Sequence, residues 1–175
     1  MVELGTVLSF IQAFGIVVGV VYYIMNIQNN QKNQELMLKA QQQTLETRQA
    51  QMFLGVYNKM SDKEFTRAYN TVMNTSWSSY QEFSDLRKNN EFYEAFLLIN
   101  GFFEGVGVLV KEGVLDIRWI ALLMASWTNE YWEKIREVIL EHRKRSGAKR
   151  ALSEYEYLYD ELNKYLEQHP ELKTK

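Results

Sequence analysis

Residues 4–25 read LGTVLSFIQAFGIVVGVVYYIM, and this apolar stretch decides the fold. Twelve of its 22 residues are Val, Ile, Leu or Phe, and no charge occurs between Glu3 and Lys32. A helix of that length covers roughly 33 Å, close to the ~30 Å hydrocarbon core of a bilayer. A cleaved signal peptide would need a basic start and small residues at a cleavage site, where Tyr22 and Tyr23 stand instead. The sequence therefore predicts a transmembrane anchor at 1–26, in preference to a signal peptide or a buried core helix.

The distribution of positive charge predicts the orientation of this anchor. Lys32, Lys39 and Arg48 follow the span, and positive charge near a span favours the cytoplasmic side. Tyr22 and Tyr23 would lie at the headgroup level on the same side. We therefore expect a single-pass protein of the cell membrane, with its N-terminus outside and its C-terminal domain in the cytoplasm.

One face of the predicted span carries small and polar residues rather than large apolar ones. They recur at steps of three or four: Gly5, Ser9, Gln12, Gly15, Gly19 and Tyr22. Within this set, Gly15 and Gly19 form a GxxxG motif. Small residues allow close helix–helix approach in lipid, where no hydrophobic effect drives association. This pattern predicts a helix–helix contact in the membrane, and the partner could be a second copy of the chain or another membrane subunit.

Residues 27–51 are polar, rich in Gln and Asn, and still helical in character. No Gly or Pro occurs from Val20 to Leu54, so nothing forces the helix to end at the membrane surface. Ile27 and Leu38 are eleven residues apart, a spacing that keeps a narrow apolar stripe on one side. Two interpretations stay open, a solvated stalk helix and a weak coiled-coil seam between copies.

Residues 52–175 predict a small helical bundle with its own hydrophobic core. Gly113 and Gly147 are expected to end helices, and Asp116 to begin one. Capping boxes are expected at Ser61–Glu64, Ser79–Glu82 and Ser153–Glu156. The fold class is therefore all-α, with one N-terminal transmembrane helix continuing into a stalk helix and then a bundle. The expected helices are 4–60, 62–74, 80–88, 91–112, 117–145 with a break near Ser126, and 153–168.

Glu104 is the most unusual residue of the predicted bundle, because it lies between Phe103 and Gly105 in a very apolar segment. A carboxylate in such surroundings pairs with a cation or has a raised pKa. We predict a buried structural ion pair with Arg143. A buried acid in a ligand site is the alternative.

Five cations cluster around Gly147. Basic residues in a last helical turn stabilise the helix dipole, and anionic lipid or an acidic protein partner is the functional alternative. The five are Arg143, Lys144, Arg145, Lys149 and Arg150.

Several chemistries are not expected. The chain has no Cys, its two histidines are His142 and His169, and no Walker-type GK[ST] occurs, so we expect no metal, no cofactor and no enzyme activity. The net charge of −2 and the acids of residues 154–167 also disfavour nucleic acid as a partner.

Short motifs in residues 90–160 resemble an uncharacterised family of bacterial and archaeal proteins. The pieces are NGFFE at 100–104, KEGVLD at 111–116, Trp132 with ILEHR at 139–143, and EYL at 156–158. That family combines one N-terminal span with a small helical domain of unknown function, so the resemblance implies an anchored helical bundle and no established activity. Its pattern corresponds to Asn100, Glu104, Gly113 and Arg143.

These observations predict a protein that acts by association, as an accessory or scaffolding subunit of a membrane assembly or as a self-associating module. The alternative is a membrane-tethered sensor or effector whose helical domain binds a small ligand near Glu104.

Overall fold

The computed structural model describes residues 4–172, except for the side chains of Thr6, Val7 and Phe10. The described chain is helical and contains no strand, which confirms the all-α prediction of a long N-terminal helix followed by a smaller bundle. Its helices are α1 (Leu4–Met60), α2 (Lys63–Asn74), α3 (Tyr80–Leu86), α4 (Asn90–Lys111), α5 (Ile117–Leu123), α6 (Ala125–Ser146) and α7 (Ser153–Gln168), followed by a 3₁₀ turn at Pro170–Leu172.

The long helix α1 is shared between two compact units, which divide between Arg48 and Gln49. The described part of the first unit, residues 4–48, is helix alone, and none of its described side chains is buried. The second unit contains the last turns of α1 and all the other helices. There the apolar side chains of Phe53, Val56 and Met60 become buried. The face of α1 that contributes to the core therefore begins at Phe53.

Local sequence signals explain most of the helix ends. Ser79 and Asp116 cap α3 and α5 by accepting hydrogen bonds from Glu82 N–H and Arg118 N–H, at 3.2 and 2.8 Å. Gly113 and Gly147 have φ of 67° and 73°, the left-handed conformation that glycine adopts without steric penalty.

Two local predictions, both of helix caps, were wrong. The cap of α2 is Asp62, whose carboxylate accepts from Glu64 N–H, and not Ser61, which still belongs to the turn after α1. The cap position of α7 is Leu152 and not Ser153, which is already helical. The break predicted near Ser126 in the helix at 117–145 is present at Met124, which separates α5 from α6.

The core of the second unit is built around α4, which packs mainly against α7 and α2. Aromatic rings fill much of it: the ring of Phe103 lies 4.6 Å from that of Tyr155 and 5.6 Å from that of Tyr131. The Tyr155 hydroxyl donates to Thr128 O at 2.7 Å, and burial raises the pKa of this phenol. The largest fully buried side chains are Trp132, Tyr131, Tyr155, Phe65, Phe83 and Phe103.

The backbones of α4 and α7 are in close contact at Gly107. A Cβ atom built there would overlap the backbone carbonyl of Glu154 and would also touch Tyr155 N. Backbone atoms cannot rotate away as a flexible side chain can, so any side chain at position 107 would push the two helices apart. Gly105 lies on the same helix but is exposed, and a Cβ there would meet nothing within 4 Å.

We predict that Gly107→Ala lowers the stability of the second unit by about 1–3 kcal/mol or more, because it overpacks a backbone contact. Gly105→Ala is the matched control, and it should be neutral or stabilising by up to about 1 kcal/mol through helix propensity alone. Thermal unfolding of the detergent-solubilised full chain, followed by circular dichroism, measures both. Equal melting temperatures for the two variants would contradict the close approach.

Candidate functional site

The predicted membrane segment of α1 is apolar and unburied. Every side chain described between Leu4 and Arg48 is exposed, including those of Phe14 (72%) and Ile11 (66%). Two helices in residues 4–172 are long and apolar enough to cross a membrane by length and composition, α1 over Ile11–Met60 and α4. The most apolar window of α4 is 39% buried, whereas that of α1 is 0% buried. Helix α4 is therefore the core helix of the bundle, and α1 is the candidate span.

The glycines of the predicted contact face are not required by packing inside the chain. A Cβ on Gly5, Gly15 or Gly19 would meet nothing within 4 Å. Ser9 Oγ donates to Gly5 O at 3.0 Å within the helix, while Gln12 and Tyr22 are exposed. The structure thus leaves the whole predicted face open.

Because α1 continues without a break, this face extends beyond the apolar segment. At about 100° per residue, the side chains of Asn26, Asn30, Asn33 and Thr44 lie within about 40° of the direction of Gly19. All four are uncharged, and Asn30 Nδ2 donates to Asn26 Oδ1 at 3.3 Å.

The charges of the same segment lie on the other side of the helix. Lys32, Glu35, Lys39 and Glu46 fall within about 40° of the direction opposite Gly19, and Lys39 pairs with Glu35 at 2.8 Å. Arg48 is the first charge on the glycine side. One uncharged face therefore continues from the apolar segment into the polar one.

Glu104 in the bundle caps a helix rather than pairing with a cation. Its Oε2 accepts a hydrogen bond from Tyr155 N–H at 2.8 Å, in the first turn of α7. The cap position of α7 is Leu152, which has a left-handed backbone (φ 55°) and no side-chain acceptor. A carboxylate near a helix N-terminus is stabilised by the free N–H groups and the helix dipole. Glu104 of α4 thus acts as the N-terminal cap of α7, in place of a side chain from α7 itself.

The predicted ion pair between Glu104 and Arg143 is wrong, because Arg143 has other partners. Its Nη1 donates to Glu156 at 2.6 Å and its Nε to Ala151 O at 2.8 Å. Both partners come from the α6–α7 connection and the start of α7. The guanidinium therefore holds the connection against the end of α6, and Glu104 is half-buried rather than buried.

Glu154 is the centre of a second charged cluster, which sequence reasoning missed. Its carboxylate accepts from Lys111 at 2.7 Å and from Arg150 at 3.3 Å. The hydrogen bond from Lys111 lowers the pKa of this carboxyl, against the opposing effect of desolvation. No local pattern relates residue 111 to residue 154, so only the packing of α4 on α7 reveals the pair.

The predicted basic cluster is largely neutralised within the chain. Arg145 and Lys144 pair with Glu141 at 2.7 and 3.9 Å, while Arg143 and Arg150 pair with Glu156 and Glu154. Lys149 has no ion-pair partner in the described part of the chain. This arrangement does not favour a free cationic surface for lipid headgroups or an acidic partner.

Neither histidine belongs to a ligand cluster. His142 Nδ1 lies 3.1 Å from the Tyr80 hydroxyl, and His169 Nδ1 lies 3.2 Å from Glu171. Within residues 4–172, no three His, Cys, Asp or Glu side chains are grouped so as to hold a metal ion.

The fold and these surfaces define a class: an all-α protein in which a long, apolar N-terminal helix precedes a compact helical bundle. The chain belongs to the family described as Domain of unknown function (DUF4760), which matches residues 9–162. The resemblance to an uncharacterised family is thereby confirmed, and the match begins in α1, well before residue 90. No curated protein and no solved structure matches the chain.

We predict that Glu104→Ala costs about 1–2 kcal/mol of stability, the usual effect of losing a helix cap. Since Glu104 and Arg143 have separate partners, Glu104→Ala and Arg143→Ala should add to within about 0.5 kcal/mol in the double variant. Arg143→Ala with Glu156→Ala is the comparison, and this pair should couple by about 0.5–3 kcal/mol. Chemical denaturation gives all the values. Strong coupling between positions 104 and 143 would instead support an ion pair between Glu104 and Arg143.

The lowered pKa of Glu154 predicts a pH-dependent contribution to stability. A depressed carboxyl pKa stabilises the folded state above the ordinary pKa and ceases to do so as pH falls through the lowered value. Glu154→Gln should therefore lower the melting temperature at pH 7, and the deficit should shrink between about pH 5 and pH 3. Glu167→Gln is the matched control at an exposed carboxylate of α7, and a deficit for Glu154→Gln that is independent of pH would contradict the assignment.

Proposed function

We propose that this chain is a single-pass membrane protein that works by association, through the face of α1 that carries Gly5, Ser9, Gln12, Gly15, Gly19 and Tyr22. The apolar segment of α1 supports this proposal most directly, because no described residue covers it. An exposed apolar surface of this size needs lipid or protein around it. Lipid fits the segment's length and its freedom from charge.

The glycine face supports association as the mode of action. Three glycines that no contact within the chain requires leave room for a second backbone, which is the role small residues play between membrane helices. The charges on the opposite side would stay solvated if the uncharged face met another helix. The partner on this proposal is a second copy of the chain or another membrane subunit, for which the chain is an accessory or scaffold.

The bundle supports the same role better than that of a sensor at Glu104. The Glu104 carboxylate is engaged in the cap of α7, and the Arg143 guanidinium is held by Glu156 and Ala151. Both groups stabilise the fold, so neither is free to recognise a ligand. The orientation proposed is N-terminus outside and bundle in the cytoplasm, which Lys32, Lys39 and Arg48 favour.

We predict that Gly15→Leu with Gly19→Leu disrupts the proposed assembly, because two isobutyl groups would separate the helix backbones. Val17→Leu with Val21→Leu is the control, since it also places two leucines four residues apart, but on the opposite side of α1. Light scattering of the full chain in mild detergent, together with mass spectrometry of co-purifying proteins, measures assembly.

The glycine double variant should form a smaller assembly, or lose co-purifying proteins, compared with the valine double variant. Both double variants should stay in the membrane pellet after carbonate extraction. An assembly unchanged by the glycine substitutions would remove this face as the contact. Release of the unmodified chain into the carbonate supernatant would remove the membrane anchor itself.

A further inference from the structure

A groove of about 490 Å³ lies in the second unit, between the start of α3 and the middle of α6. Its size falls within the roughly 300–1,000 Å³ of small-molecule sites. The groove is independent of the proposed role of α1, because all the residues that line it belong to the bundle. One wall carries carboxylates and the other carries aromatic rings and hydroxyls, from Trp77, Ser78, Ser79, Tyr80, Glu133, Glu137 and Glu141.

The carboxylates form a regular row along α6. Glu133, Glu137 and Glu141 are four residues apart, which places successive Cα atoms about 6 Å apart along the helix axis. Glu141 accepts from Arg145 at 2.7 Å. Burial, and after it the charge of Glu133, raises the pKa of nearby Tyr159. Glu137 is exposed and has no hydrogen-bond or ion-pair partner among residues 4–172. The row therefore carries unneutralised negative charge at its centre.

Both aromatic rings of the groove already hold cations from the chain itself. Lys134 Nζ lies 4.5 Å from the centre of the Trp77 ring, and Arg145 Cζ lies 4.7 Å from that of Tyr80. No carboxylate of residues 4–172 lies within 4.0 Å of the Lys134 ammonium, whose contact in the groove is the Trp77 ring. A cation–π contact at an exposed site is weak. An incoming cation that also reaches the carboxylates can therefore displace Lys134.

We propose that this groove binds a linear polyamine, with ammonium groups against the Glu133, Glu137 and Glu141 carboxylates and one end over the Trp77 ring in place of Lys134. Ammonium groups separated by three or four methylenes are about 5–6 Å apart, given bonds of about 1.5 Å, which matches the carboxylate row. A metal ion would need several oxygens converging at about 2.0–2.6 Å, and carboxylates spread along a helix do not converge. The shape and charge of the groove thus select an extended polycation.

The test is calorimetric titration of the full chain in detergent with spermidine, with Mg²⁺ as the probe of charge alone. Wild-type chain should bind spermidine with a Kd on the order of 1 mM or below. Glu137→Gln should weaken binding about threefold to tenfold, by the loss of one charge-assisted contact. Glu167→Gln removes the same charge from α7, outside the groove, and should leave the Kd unchanged.

Substitution of Lys134, the lysine over the Trp77 ring, should change the affinity for spermidine in the opposite direction. Lys134→Met removes the competing cation and should tighten spermidine binding by a few fold, because the Trp77 face is then free. Lys149→Met removes the same charge from the exposed α6–α7 connection and should have little effect. All four substitutions are of exposed or half-buried side chains, and unchanged circular-dichroism melts verify the fold of each variant.

Four results would overturn the proposal. Equal effects of Glu137→Gln and Glu167→Gln, or equal affinity for Mg²⁺ and spermidine, would reduce the binding to non-specific charge. Binding of a pentalysine peptide without binding of spermidine would assign the groove to a basic protein segment. If titration with millimolar spermidine gives no heat of binding, the groove does not bind a polyamine.

Discussion

The bundle depends on one contact, the close approach of α4 and α7 at Gly107. Because backbone meets backbone there, the first turn of α7 is withdrawn from water and its N–H groups need partners from the protein. Helix α4 provides polar partners for this turn from the same face, one turn to either side of Gly107. Glu104 accepts from Tyr155 N–H, and Lys111 donates to the Glu154 carboxylate rather than to a backbone group. The close packing and the polar contacts thus have the same geometric origin. Glu104, Gly107 and Lys111 lie on one face of α4, and all three contact the N-terminal turn of α7.

Structural reasons are visible for three of the four residues to which the family pattern corresponds. Glu104 caps α7, Arg143 fixes the α6–α7 connection to α7 through Ala151 O and Glu156, and Gly113 adopts a left-handed turn after α4. Each of these residues has a structural reason that follows from its contacts or its backbone angle. Their roles lie in holding three helices together, which is compatible with a bundle whose binding chemistry lies elsewhere, on α6.

The sequence predicted what local rules determine and failed where tertiary contacts decide. Gly113, Gly147 and Asp116 act through their own backbone or their nearest N–H groups, so their helix ends were predicted correctly. Ser153 looked like a cap because Glu156 follows it by three residues, but that carboxylate is taken by Arg143 and the cap comes from α4. Glu104 was singled out correctly as unusual, and its partner was wrong, because a backbone N–H leaves no trace in composition. The row of Glu133, Glu137 and Glu141 was visible as an i, i+4, i+8 pattern, but only the fold sets Trp77 and Tyr80 opposite it.

The glycines of this chain fall into two groups, one that packing within the chain requires and one that it does not. Gly107 is required by a contact within the chain, since any Cβ would meet the backbone of α7. For Gly5, Gly15 and Gly19 the space around the missing Cβ is open, and alanine would be the better helix former by about 1 kcal/mol at each. The folding of the chain alone therefore gives no reason for glycine at these positions. A second helix close to α1 would supply one, because in lipid the gain from close backbone packing must come from outside the chain.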